Sequence, residues 1–167
     1  MLPSDTDMKM MRTALQHART AAVLGEVPVG AVIYRGNKIL AEGHNLRETT
    51  QDPTAHAEML VLKAAAQKIN SWRLDDCTMA VTLEPCPMCA GAIVNARLSK
   101  LVYGASDPKM GCVNSLYHLV TELRFNHRVS VIPNILADEC GRTLKEFFKH
   151  RRSDSPPPKP SPTRDTH

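Results

Sequence analysis

The sequence predicts a three-layer α/β/α domain over residues 1–152, with helices on both faces of a five-stranded mixed sheet. Three observations point there. Five short apolar runs have the length of strands. Longer segments with helical apolar spacing fall between most of them. Of the 167 residues, 43% are hydrophobic, enough for one core of ordinary domain size. Aromatics make up only 4%, so that core must be built mostly from Ala, Val, Leu, Ile and Met.

The first helix is read from Met8, Met11, Ala14, Leu15, Ala18 and Ala22, with Lys9, Arg12, Gln16 and Arg19 on the other face and Gly25 at its end. Pro28–Tyr34 and Lys38–Glu42 flank the turn pair Gly36-Asn37 and read as a hairpin. Arg47–Pro53 is a polar loop. A second helix opens near Thr54 and runs to about Lys68, apolar around most of its circumference and so expected to be largely buried. Thr78–Leu83 is a third strand, Pro85–Ala96 a third helix and Lys100–Gly104 a fourth strand. A weaker helix near Ser115–Leu123 permits a parallel crossover to a fifth strand, Val129–Pro133. Asp138 to about Arg152 is the last helix. From Ser153 the chain reads SDSPPPKPSPTRDTH, with nothing apolar but proline, and a disordered tail is expected.

Lys and Arg number 21 against 17 Asp and Glu, a mild bias toward acidic partners. The five cysteines are Cys77, Cys86, Cys89, Cys112 and Cys140. An odd count with one tight C-x-x-C pair does not read as a disulfide framework; it fits a reducing compartment and a metal or redox site. The first nine residues are polar and acidic, unlike a signal peptide, and no apolar run approaches the ~20 residues that span a bilayer. The expectation is a cytoplasmic protein with no membrane partner.

Two short motifs carry the chemistry. His56-Ala57-Glu58 sits at the start of the second helix and Pro85-Cys86-Pro87-Met88-Cys89 at the start of the third. Cysteines three apart on a first helical turn point their sulfurs the same way, and a helix N-terminus favours the thiolate that a metal needs. Pro87 is tolerated there because its missing N–H costs nothing. With His56 as a third ligand, a zinc ion would keep its fourth position open for water. Glu58, two residues from His56, points elsewhere on the helix; it is poorly placed to chelate and well placed to move a proton. Two other readings of the cysteines stand beside this one: a thioredoxin-like redox pair, which lacks a separate H-x-E, and a structural zinc site, for which no fourth ligand has suitable spacing. Cys77, Cys112 and Cys140 are isolated and read as core or surface thiols.

H-x-E followed by P-C-x-x-C is the signature of the cytidine/deoxycytidylate deaminase superfamily. Beyond it, the stretches GEVPVGAVI, DPTAHAEM, VTLEPCPMCAGAI, VYGASDPKMG, NHRV and ILADEC resemble the tRNA-specific adenosine deaminases, and the likeness runs from Gly25 to Arg152. The resemblance implies a cytidine-deaminase-like sheet, parallel between its last two strands, and a homodimer. It implies one zinc per chain on His56, Cys86 and Cys89. The activity would be hydrolytic conversion of the wobble adenosine of a tRNA anticodon stem-loop to inosine, by zinc-activated water with Glu58 as proton shuttle. The bound loop would be met by Asn45, Asp107, Lys109, Asn126 and Phe148.

Each of these contacts has a plainer reading. Asn45 suits a turn after strand two, Asp107-Pro108 a loop start, and Phe147 and Phe148 a core stripe on an amphipathic helix. Lys145, Lys149, Arg151 and Arg152 read equally as a solvated face or as phosphate contacts. Cys112 and Asn114 depart from the family, which more often has Ala or Gly there. Two rival functions remain: a deaminase of free guanine or cytosine on the same fold, and a zinc-stabilised RNA-binding module without catalysis, against which Glu58 speaks.

Overall fold

The computed structural model describes residues 1–153. Helix α1 (Asp5–Val23) leads into the hairpin β1 (Gly30–Arg35) and β2 (Lys38–His44). A single turn, α2 (Arg47–Thr50), precedes helix α3 (Ala57–Ile69). Then follow β3 (Thr78–Leu83), α4 (Pro87–Asn95), β4 (Lys100–Ala105), a 3-10 turn at Leu119–Thr121, β5 (Ser130–Ile132) and α5 (Ala137–Ser153). The sheet order is β2-β1-β3-β4-β5. β1 is antiparallel to β2 and to β3, whereas β3, β4 and β5 run parallel, so the sheet is mixed as expected and its last two strands are parallel.

Period-two alternation sorts the strand residues into two cores. Ala31, Ile33, Met79, Val81, Leu101 and Tyr103 face one side, where α3 and α4 pack. Val32, Tyr34, Ala80 and Val102 face the other, with α1 and α5. Helix α1 starts on a reciprocal capping box between Ser4 and Asp7 and is followed by Gly25 at φ +78°, the left-handed residue that ends a helix. It lies so close to β1 that a Cβ at Gly30 would collide with the backbone at Ala14 and Ala18.

Several boundaries differ from expectation. The Arg47–Pro53 segment is not all loop: Arg47–Thr50 forms the turn α2, because the buried Glu26 carboxylate accepts the Thr49 N–H (2.6 Å), the Thr49 hydroxyl (2.7 Å) and the Glu48 N–H (3.2 Å). Helix α3 begins past Thr54, whose N–H and hydroxyl are taken by Asp52 in a local turn. It is also less buried than its composition predicts, since Lys63 and Ala64 are exposed and Met59 and Leu60 half-buried. The weaker helix at Ser115–Leu123 is reduced to the 3-10 turn, because the chain before it wraps around a carboxylate, described below, instead of bonding to itself. Phe147 and Phe148 are not core: they meet edge to face at the surface of α5, and Phe148 is 43% exposed. Cys77, Cys112 and Cys140 are all buried thiols. The expected tail lies outside the described residues, apart from Ser153, which closes α5. Among the described residues no helix is long and apolar enough to cross a membrane.

Candidate metal centre

Two helix starts converge at the carboxyl ends of the parallel strands, where α/β sheets generally place their sites. His56 is the N-cap of α3 and Cys86 the N-cap of α4, with Cys89 one turn in. Pro87 at the first helical position fixes the backbone there. The Nδ1 atom of His56 lies 3.7 Å from Cys86 Sγ and 3.5 Å from Cys89 Sγ. The three donor atoms all fall within 4.8 Å of one another and could hold a metal ion. A tetrahedral ion with ~2.3 Å bonds to sulfur and ~2.0 Å to nitrogen requires N···S edges of about 3.5 Å, so the donors already stand at the separation that such an ion demands.

The Cys89 hydrogen bond and the His56 ring together overcome burial and push the Cys86 thiol down to about 4. Cys89 is pushed far up by the same bond to Cys86 and by its own burial. His56 is raised, chiefly by its hydrogen bond to Cys86. Glu58 is 4% exposed, and burial pushes its carboxyl up to about 7 against the pull of His56.

All of these groups but Cys89 border a cavity of about 480 Å³, within the range of small-molecule sites. Asn45, His56, Glu58, Cys86 and Asp107 all line it. Asn45 does two things: its side chain borders the cavity, and its Oδ1 accepts the Ala57 N–H at 2.9 Å, satisfying a free amide at the start of α3. The Asp107 carboxylate accepts the N–H groups of Lys109 (2.9 Å) and Met110 (3.2 Å), as the turn reading expects, while the residue also borders the cavity. Lys109 and Phe148 meet elsewhere, in a separate surface depression with Leu144, Lys145 and Arg152. Asn126 joins neither. Its carbonyl accepts from Arg97, beyond the far end of α4, and the chain there enters the amino end of β5, opposite to the cavity.

Arg47, Val27, Val29, Leu83, Glu84, Met88 and Met110, to which sequence reasoning assigned no role, also line the cavity. Most of them fall inside the family-like stretches, so they were visible as text; their inward direction was not. Glu26 and Glu84 were likewise missed. Both are buried, and each gathers backbone amides from a loop beside the cavity. Burial raises Glu84, but the Asn114 amide, the Ser115 hydroxyl and the Asp107 amide outweigh it and hold its carboxyl below the ordinary value.

Comparison with known proteins agrees with this geometry. Residues 5–152 match the family described as MafB19-like deaminase. A tRNA-specific adenosine deaminase of Bacillus subtilis is 49% identical over 146 residues, 87% of this chain and 91% of that protein. Its counterpart in Haemophilus influenzae is 47% identical over 152 residues, 90% of this chain and 88% of that one. A solved structure from work on A-to-I editing by tRNA:A34 deaminases at the wobble position of transfer RNA superposes with a TM-score of 0.78 at 38% identity, covering 81% of this chain and 99% of that chain. A guanine deaminase from Nitrosomonas europaea, TM-score 0.77 at 21% identity, shares the fold.

Proposed function

The chain belongs to the tRNA-specific adenosine deaminases, within the MafB19-like deaminase family, and we propose that it hydrolyses the wobble adenosine of a tRNA anticodon to inosine. The observation that carries this reading is the cluster of three nitrogen and sulfur donors at tetrahedral separation, two of which, His56 and Cys86, border one cavity with the buried carboxylate of Glu58. His56, Cys86 and Cys89 hold one zinc ion per chain. Zinc in an open three-ligand site activates a water molecule as a nucleophile at neutral pH. Glu58 would take a proton from the attacking water and deliver it to N1 of the adenine, then take the proton of the hydroxyl added at C6 and pass it to the amino group, which leaves as ammonia. Adenosine and water thus become inosine and ammonia. Asn45 fixes the start of α3, and with it the direction of Glu58 and His56, while bordering the base.

The base must be splayed out of the loop to reach this depth, which costs less from a single-stranded loop than from a duplex. Asp107 borders the entry. Lys109 and Phe148, with Lys145 and Arg152, form a basic and aromatic rim suited to a neighbouring nucleotide and its phosphates. Asn126 does not line this cavity. We place it with the surface through which a homodimer forms. Support for that surface is the exposed apolar side chains Leu116, Tyr117, Leu123 and Phe125, on either side of the 3-10 turn that packs on α4. A tRNA substrate fits the cytoplasmic location expected from the sequence.

Incubation of the purified protein with total tRNA, followed by sequencing for inosine, tests the reading. Inosine should appear at the first anticodon position. Rapid turnover of free guanine or cytosine with no inosine in tRNA would promote the free-base rival. Metal analysis of His56→Ala and Cys86→Ala should show depleted zinc.

A further inference from the structure

We propose that Glu84 is a positioning residue for the substrate: its carboxylate gathers the backbone of residues 107–115 and so builds one wall of the adenosine cavity. This rests on the reading of the cavity given above. Glu84 stands between the end of β3 and the ligand Cys86, and its own N–H donates to the Ala105 carbonyl at the end of β4 (2.8 Å). It is 2% exposed. One oxygen, Oε1, accepts the N–H groups of Val113 (3.1 Å), Asn114 (2.7 Å) and Ser115 (2.9 Å). The other, Oε2, accepts the Asp107 N–H (2.9 Å) and the Ser115 hydroxyl. Four amides from two ends of one irregular loop thus converge on a single carboxylate.

The loop is shaped for this approach. A Cβ at Gly111 would collide with the Glu84 carboxylate and with the Asp107 carbonyl, so glycine lets the chain close around the anion. The Cys112 N–H donates to the Pro85 carbonyl (2.9 Å), tying the same loop to the residue before Cys86. Asp107 and Met110, held in this way, face the cavity. An acceptor removed here would leave inward-pointing amides without partners, and the loop would reorganise to find water. Apart from the Cys112–Pro85 bond, helix α4 and its cysteines are held by their own helix and by the core beneath Cys89, Ala90 and Ile93. Loosening the wall should therefore impair substrate placement while sparing the metal.

Two variants approach the contact from its two sides. Glu84→Gln keeps the shape but puts an NH2 group where one oxygen accepted; Gly111→Ala pushes the loop away with Glu84 intact. Each zinc-loaded protein is assayed on an anticodon stem-loop with a wobble adenosine. We expect KM to rise about tenfold or more with kcat within about twofold of the parent. Metal content should be full, and the double variant no worse than the worse single one, because both break one contact. Amide exchange at 107–115 should quicken in Glu84→Gln, with protection in α3 and α4 kept. Unchanged KM in both variants, additive losses, or a fall in kcat at constant KM would overturn the proposal. Should the parent protein make no inosine in the stem-loop, the functional reading fails instead, and the exchange measurement alone decides whether Glu84 organises the loop.

Discussion

Glu58 and His56 are two residues apart on one helix start, yet their environments differ. His56 is half-buried and sits against two sulfurs, whereas Glu58 is sealed to 4% exposure. That difference separates holding a metal from moving a proton. Glu58→Ala should retain zinc and lose roughly 10²–10⁴-fold in turnover, the contribution of a positioned acid/base. Zinc content and single-turnover rate, measured on the same preparation, check this; zinc lost along with activity would make Glu58 a ligand. Residue types and spacing were legible here because the motif is short and local. The choice of Nδ1 as the atom facing the sulfurs was not, since it depends on a ring orientation that neighbours impose.

Among the elements, α1 is the one whose docking is most closely specified. Its contact with β1 requires no side chain at residue 30, because a Cβ would meet backbone atoms that cannot swing aside. Gly30→Ala should cost more than about 3 kcal/mol, as overpacking against backbone does, and appear as a large fall in Tm. The start of α1 is anchored by Asp7, 1% exposed, which accepts from the Tyr34 hydroxyl (2.5 Å) and from Lys100 Nζ (2.7 and 3.0 Å). Burial alone would raise its carboxyl. The Lys100 ammonium and the Tyr34 hydroxyl outweigh burial and hold it at about 2 instead of 3.8. A depressed folded value means that the stabilisation is present above the unfolded value near 4 and is lost as pH falls toward 2. It amounts to about 2 kcal/mol. The Tm of the parent should therefore drop between pH 5 and 2, and Asp7→Asn should start lower and show a flatter profile over that range.

Among the described residues, helices α1, α3, α4 and α5 and the five strands build the two cores. We hold residues 1–152 to be one domain, with both faces of the sheet covered. The outer sides of α3 and α4 and the segment from Leu116 to Phe125 still present apolar groups outward. A second copy would cover them, and light scattering at micromolar concentration should give about twice the 18.4 kDa chain mass. A monomer at that concentration would remove the place given to Asn126. Affinity for the anticodon stem-loop should fall as salt rises, because a rim with Lys109, Lys145 and Arg152 binds by releasing counterions from phosphate.

The apolar runs of β1, β3 and β4, the capping residues of α1 and the H-x-E and P-C-x-x-C motifs were determined by the sequence itself, since each depends on neighbours within a turn or a strand. The two faces of the sheet follow from period two alone, and the thiolate-friendly helix start follows from Cys86-Pro87. What only the tertiary structure decided are matters of convergence. Asn45 caps a helix twelve residues away, Glu26 makes a helical turn out of an expected loop, and Glu84 draws amides from 23 to 31 residues away, which is why the segment after Gly111 is not the helix its composition suggests. Phe148 and Lys109 share a depression, while Asn126 lies beyond the other end of α4. The physical reason is the same in each case. A buried carboxylate or carboxamide must find donors, and which amides it finds depends on the packing of strands distant in sequence, which no local period records.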